Sequence, residues 1–156
     1  MSSEELRKEI TAYLAAHRLA RIAVSDGDNP IAHSVYYINI GLRMYFESDQ
    51  NSQKISILRS NPRISYTIDE DTPDWRQIRG IQGQGKANIL GERSTGKLTE
   101  LYARKFPILD EIGGLPKHHI FVEVVPDRLY FLDFAKEFGH RSLYYPDDED
   151  RPKLQW

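Results

Sequence analysis

The chain has 156 residues, 40% of them hydrophobic and 28% charged, with 23 acidic against 21 basic side chains and a net charge of −2. That length supports one domain with its own core, and that balance, with no basic stripe along any face, excludes a general attraction to nucleic acid. The lack of cysteine excludes disulfides, thiolate metal sites and a cysteine nucleophile, and it suits a reducing compartment. The start, Met1-Ser2-Ser3-Glu4-Glu5, is too acidic for a secretory signal, and no apolar run is long enough to span a membrane, so no membrane association and a cytoplasmic location are expected.

Ser2 followed by Glu5 has the form of a capping box. Leu6, Ile10, Tyr13, Leu14 and His17 then recur at helical spacing, which predicts an amphipathic helix over 3–17. Leu19 to Ser25 alternates, with Ala20, Ile22 and Val24 on one face, and the cluster Asp26-Gly27-Asp28-Asn29-Pro30 marks a turn. Two further strands, 31–40 and 42–48, are joined tightly at Gly41. A short helix is predicted from Ser52 to Ser60 and is stopped by Asn61-Pro62. Hydroxyls and a lysine therefore stand where free backbone N–H groups and the positive end of a helix dipole gather, which is a place for a phosphate. Read alone, Ser52 is more simply an ordinary N-cap and Lys54 a solvated lysine, and it is the family resemblance below that reverses the weighting.

Ile64, Tyr66 and Ile68 alternate in the next strand, and 69–74 reads as an acidic loop. Residues 78–90 read as one extended strand, bent or bulged at Gly80, Gly83 and Gly85. Those glycines superficially match a dinucleotide-binding loop, but Lys86 to Leu90 reads as strand where that loop requires a helix. Ser94 caps a third helix carrying Leu98, Leu101, Tyr102 and Phe106, ended by Pro107. A last hairpin, 120–125 with 129–134, is predicted across Pro126-Asp127. His118 and His119 are adjacent, point to opposite faces if in a strand, and have no third ligand at useful spacing, so no metal site is expected. Tyr36-Tyr37 and Tyr144-Tyr145 are read as packing residues.

The strand count, the hairpin connections and only about three helices predict a mainly β (α+β) fold: a six- to seven-stranded antiparallel barrel with flanking helices. A single domain over 1–145 and an acidic tail over 146–156 are expected.

The order of these features resembles the pyridoxamine 5′-phosphate oxidase-like, FMN-binding split-barrel family. The likeness rests on the strand at Ile31-Ala32-His33-Ser34-Val35-Tyr36-Tyr37, on Tyr45-Phe46-Glu47-Ser48 with Ser52-Gln53-Lys54 and Asn61-Pro62, on Arg79 to Ala87, and on Phe131 to Arg141. The resemblance implies FMN as cofactor, with a deazaflavin or haem as the alternative. It implies a strand holding His33, Ser34, Val35 and Tyr36 beneath the flavin, with His33 where arginine is common. It places Ser48, Ser52, Gln53 and Lys54 around the phosphate, with Gln53 where arginine is common. Arg79 and Gln82 would reach the flavin from the second subunit of a homodimer, and Gly80 stands where the family has a glutamine. Arg141 is a conceivable substitute for a substrate-phosphate residue of the biosynthetic oxidase, whose C-terminal motif is otherwise not evident. The function implied is a flavin-dependent oxidoreductase using a small-molecule substrate or a reductant such as NAD(P)H. A non-catalytic flavin or haem carrier or sensor and an NAD(P)H:flavin reductase are the other readings. No acid–base pair stands out in the sequence, and the catalytic residues are not assigned.

Overall fold

The computed structural model describes residues 1–147. Seven strands, β1 (Leu19–Asp26), β2 (Asn29–Ile40), β3 (Arg43–Asp49), β4 (Arg63–Asp69), β5 (Arg79–Ile89), β6 (His119–Asp133) and β7 (Arg141–Tyr144), pair antiparallel in the order β3-β2-β1-β4-β5-β6-β7. A further pairing of β3 with β6, from Met44 opposite Val124 to Asp49 opposite His119, closes six of them into a barrel and leaves β7 outside on β6. Closure removes the exposed edges that an open sheet would present.

Alternation decides what fills the barrel. On β1, Ala20, Ile22 and Val24 are buried while Arg21 and Ala23 are exposed. Met44 and Phe46 of β3, Ile64, Tyr66 and Ile68 of β4, and Val122 and Val124 of β6 join the same core. Helix α1 (Ser3–Ala16), started by the Ser2–Glu5 capping box, adds Leu6, Ile10, Tyr13 and Leu14. Helix α2 (Gln53–Ser60) adds Ile55, Ile57 and Leu58. Outside the barrel wall, α3 (Thr95–Lys105) lays Leu98 and Tyr102 on Ile38, Tyr45 and Phe121 in a second cluster. A one-turn helix, α4 (Ile108–Glu111), follows Pro107.

The sequence-predicted hairpin at Pro126-Asp127 is instead the middle of one 15-residue strand, β6. The register against β5 shifts between Gln84 and Gly85, with Gly85 opposite Pro126. A bulge there accommodates a residue with no N–H to give to the ladder. Gly85 is required by the close approach, since a Cβ on it would lie 2.1 Å from the Val125 carbonyl oxygen. The seventh strand is therefore β7, formed by the segment after the Gly139 turn, and α4 was not anticipated. The tyrosine pairs split: Tyr37 and Tyr144 are buried, Tyr36 and Tyr145 exposed. The acidic tail falls, from residue 148 onward, outside the described residues. No helix among them is long and apolar enough to cross a membrane.

Candidate functional site

Two Ser-capped helices in this chain treat their positive ends differently. In α1, Glu4 and Glu5 occupy the first turn, and the Glu5 carboxylate accepts from the Ser2 N–H. That is the ordinary way to satisfy a helix N-terminus. In α2 the first turn has no acidic residue; Gln53 and Lys54 stand there instead. The Ser52 hydroxyl accepts from the Ile55 N–H at 3.4 Å and lies 3.0 Å from the Ser48 hydroxyl, which comes from the end of β3. A lysine in a first turn has the same sign as the dipole and is mismatched by about 0.3–1 kcal/mol. The Lys54 ammonium makes no ion pair among the described residues. A mismatched, uncompensated cation beside two hydroxyls is an arrangement that an external anion would complete.

These groups line one cavity of about 330 Å³, walled by Ser34, Val35 and Tyr36 of β2, by Glu47, Ser48 and Asp49 of β3, and by Ser52, Lys54 and His119. Two carboxylates in the wall oppose an anion. Asp49 is occupied by the Asn51 N–H at 2.8 Å. Glu47 contacts His119 Nδ1, a carboxylate–imidazole pair joining β3 to β6. The carboxylate favours the imidazole proton on Nδ1 and leaves Nε2 as the second polar position of the ring. The sequence did not reveal this pair, because Glu47 and His119 are 72 positions apart and meet through the strand pairing that closes the barrel. His118, by contrast, sits before β6 in the left-handed region, φ 67°, with its carbonyl accepting from the Gln50 N–H. No group of three or more candidate metal ligands occurs among the described residues.

The eleven residues singled out from the sequence fall into three sets. Ser34, Val35, Tyr36, Ser48, Ser52 and Lys54 share the cavity just described. Gln82 and Arg141 lie elsewhere, in a groove of about 540 Å³ on the outer faces of β1, β4, β5 and β6, where Arg141 Nη2 donates to Gln82 Oε1 at 3.3 Å. His33, Gln53 and Arg79 line neither. Arg79 ion-pairs with Asp133 at 3.5 Å and lies over the Tyr13 and Phe131 rings, at the seam between α1 and the barrel. Gln53 is exposed on α2. His33 Nε2 is buried with no hydrogen-bond partner, and burial first, then the charge of Lys54, hold its pKa below the ordinary imidazole value.

No family model matches the chain. In sequence it is similar to a UPF0306 protein of Cronobacter sakazakii, 23% identical over 137 residues, which cover 86% of this chain and 92% of that one. Among solved structures it is similar to a Listeria innocua protein assigned as a pyridoxamine 5′-phosphate oxidase (TM-score 0.69, 22% identity, covering 82% of this chain and 98% of that one). It is similar to a FAD-binding protein of Mesorhizobium loti (TM-score 0.63, 23% identity, covering 83% and 90%). It also matches a haem-binding protein of Mycobacterium smegmatis (TM-score 0.74, 12% identity, covering 93% of this chain and 58% of that one). At these identities the likeness fixes the fold.

Proposed function

We propose that this chain, which has the split-barrel fold of the pyridoxamine 5′-phosphate oxidase-like proteins, binds FMN and acts as a flavin-dependent oxidoreductase of the cytoplasm. The observation that carries the reading is the uncompensated Lys54 in the first turn of α2, facing a cavity with the Ser48 and Ser52 hydroxyls. A phosphate dianion wants several N–H and O–H donors and at least one cation, and this corner offers both. Lys54 and the two serines would hold the phosphate, while the β2 backbone at Ser34 to Tyr36 would lie along the rest of the cofactor. Glu47 and Asp49 in the same wall keep the grip moderate. Bound flavin would supply hydride and electron transfer. The protein would hold and orient it, and the Glu47–His119 pair lines the same cavity.

The reading includes a homodimer. Gln82 and Arg141 lie in a groove separate from the Lys54 cavity on the same chain. A two-fold arrangement that sets one protomer's cavity against the partner's groove would make a complete site from the two sets. Exposed apolar side chains accompany both halves: Tyr36 in the wall of the first, and Leu143, paired with Tyr130, beside the second. Flavin fluorescence titration with wild type and Lys54→Ala tests the phosphate grip, and sedimentation velocity tests the dimer; a strict monomer that binds flavin at full affinity would end the shared-site reading.

Haem is the second reading. It is favoured by the orphaned, buried His33 Nε2 and by a haem-binding protein among the structural neighbours. The visible spectrum separates the two, since flavin bands and a Soret band do not overlap in form. A deazaflavin would use the same phosphate corner, and NAD(P)H oxidation with excess free flavin would mark a flavin reductase.

A further inference from the structure

We infer that Tyr102 is a positioning residue for the Lys54 cavity: from α3 its hydroxyl ties β2 to β3 at the point where the two strands part, and that tie fixes where the cavity begins. β2 and β3 pair from Ile40 opposite Arg43 as far as Tyr37 opposite Phe46, and there the ladder ends. Beyond it β2 stays on β1, with Tyr36 opposite Leu19 and Val35 opposite Ala20, while β3 stays on β6, with Glu47 opposite Phe121. Residues 34–36 and 47–49 therefore diverge, and they are the two strand walls of the cavity. The cavity exists because the ladder stops.

The Tyr102 oxygen sits in that fork. It lies 2.8 Å from the Tyr36 carbonyl oxygen and 3.0 Å from the Tyr45 carbonyl oxygen, one acceptor on each strand, and its single proton is shared between them. Rungs at the end of a ladder open most easily, because nothing beyond them holds the strands together. A buried hydroxyl that bridges both strands resists that opening. The tyrosine is itself fixed, buried and packed on Phe121 with 5.4 Å between ring centroids. Burial first, and then the charge of Glu47, push its phenol pKa well above the ordinary value, so the donor keeps its proton at working pH. The same end of α3 holds the Tyr36 ring, which is mostly exposed and lines the cavity: Phe106 meets it edge-on at 5.8 Å and leans on Tyr102 at 5.5 Å. Backbone and ring of one wall residue thus both take their place from α3. A phenylalanine at 102 would make the same ring contacts; only the oxygen reaches the fork.

The effect on a cofactor rests on the FMN reading; the tie itself does not. The test is Tyr102→Phe, followed by amide hydrogen exchange and by flavin fluorescence titration where both proteins are fully folded. The amides of Ile38 and Glu47, on either side of the fork, are expected to exchange about tenfold faster, and by a larger factor than those of Ile22 and Tyr66, paired across β1 and β4. FMN affinity should fall by about fivefold or more. Leu6→Ala removes core packing from α1 and leaves the fork intact, so it should lower the urea midpoint without selective loosening of the fork or loss of FMN affinity. That contrast separates a positioning role from a general contribution to stability. Fork amides that exchange no faster in Tyr102→Phe, or FMN affinity that survives a loosened fork, would overturn the inference. A wild type that binds no flavin, with fork exchange still raised by Tyr102→Phe, would end the FMN reading and leave the tie at the cavity mouth standing.

Discussion

Lys54→Ala separates a functional lysine from a decorative one because it moves two observables in opposite directions. Its ammonium sits in the first turn of α2 with no acidic neighbour in that turn. Removing it relieves a like-sign contact with the dipole, so folding stability should hold or rise by about 0.3–1 kcal/mol. Alanine's helix propensity acts in the same direction. A charge-assisted bond to phosphate contributes roughly 1.5–3 kcal/mol, and at about 1.36 kcal/mol per tenfold that is a loss of FMN affinity of roughly 10- to 150-fold. Glu47 and Asp49 share the cavity and weaken the field at any bound phosphate, which points to the lower end of that range. The assay is quenching of flavin fluorescence, with urea unfolding run on the same samples. Riboflavin, which lacks the phosphate, is the internal control and should bind both proteins equally. If FMN and riboflavin lose affinity together, or if neither does, the phosphate is not held at Lys54 and the reasoning fails.

Three further outcomes follow from the geometry. Gly85→Ala should destabilise by about 2–4 kcal/mol in chemical denaturation, because the new Cβ would meet backbone at 2.1 Å and 2.8 Å; an unchanged midpoint would mean the bulge relaxes freely. Glu123→Ala should cost about 3–5 kcal/mol, since it strips partners from the Tyr45 hydroxyl (2.9 Å), Asn88 (3.1 Å) and the largely buried Arg43 (3.2 Å); a loss near zero would show that solvent replaces the carboxylate. His33 binds its proton less well folded than unfolded, because burial and Lys54 both disfavour the cation. Its contribution to stability is therefore whole above about pH 6.5 and is lost as pH falls below that value toward the depressed folded pKa. His33→Gln should flatten the stability curve on the acid side of neutrality, and an unaltered slope would contradict that assignment.

Local patterning carried much of the architecture. The Ser2–Glu5 pair did start a helix, the Ala20-Ile22-Val24 face did turn inward, and Asn61 does cap α2 before Pro62. The failures share one cause. Pro126 reads as a breaker in isolation, yet it lies within a continuous strand because Gly85, 41 positions earlier in the sequence, lets the partner strand approach. Nothing local marks Glu47 until β6 brings His119 beside it. Ser52 and Lys54 were visible as a candidate because a helix start is a local signal. The groove on β1, β4, β5 and β6 was not, because it is assembled from strands scattered over most of the chain.

The seam between β3 and β6 joins residues near position 44 to residues near position 124. Everything in between must be synthesised before it can zip. A ribosome-bound chain of the first hundred or so residues would thus carry β3 with its outer rim bare, able to recruit any other extended segment nearby. Contacts of such sequence separation are slow to form. Truncation before β6 would therefore yield an incomplete cylinder prone to self-association, and chaperone demand during production should fall on that interval of elongation.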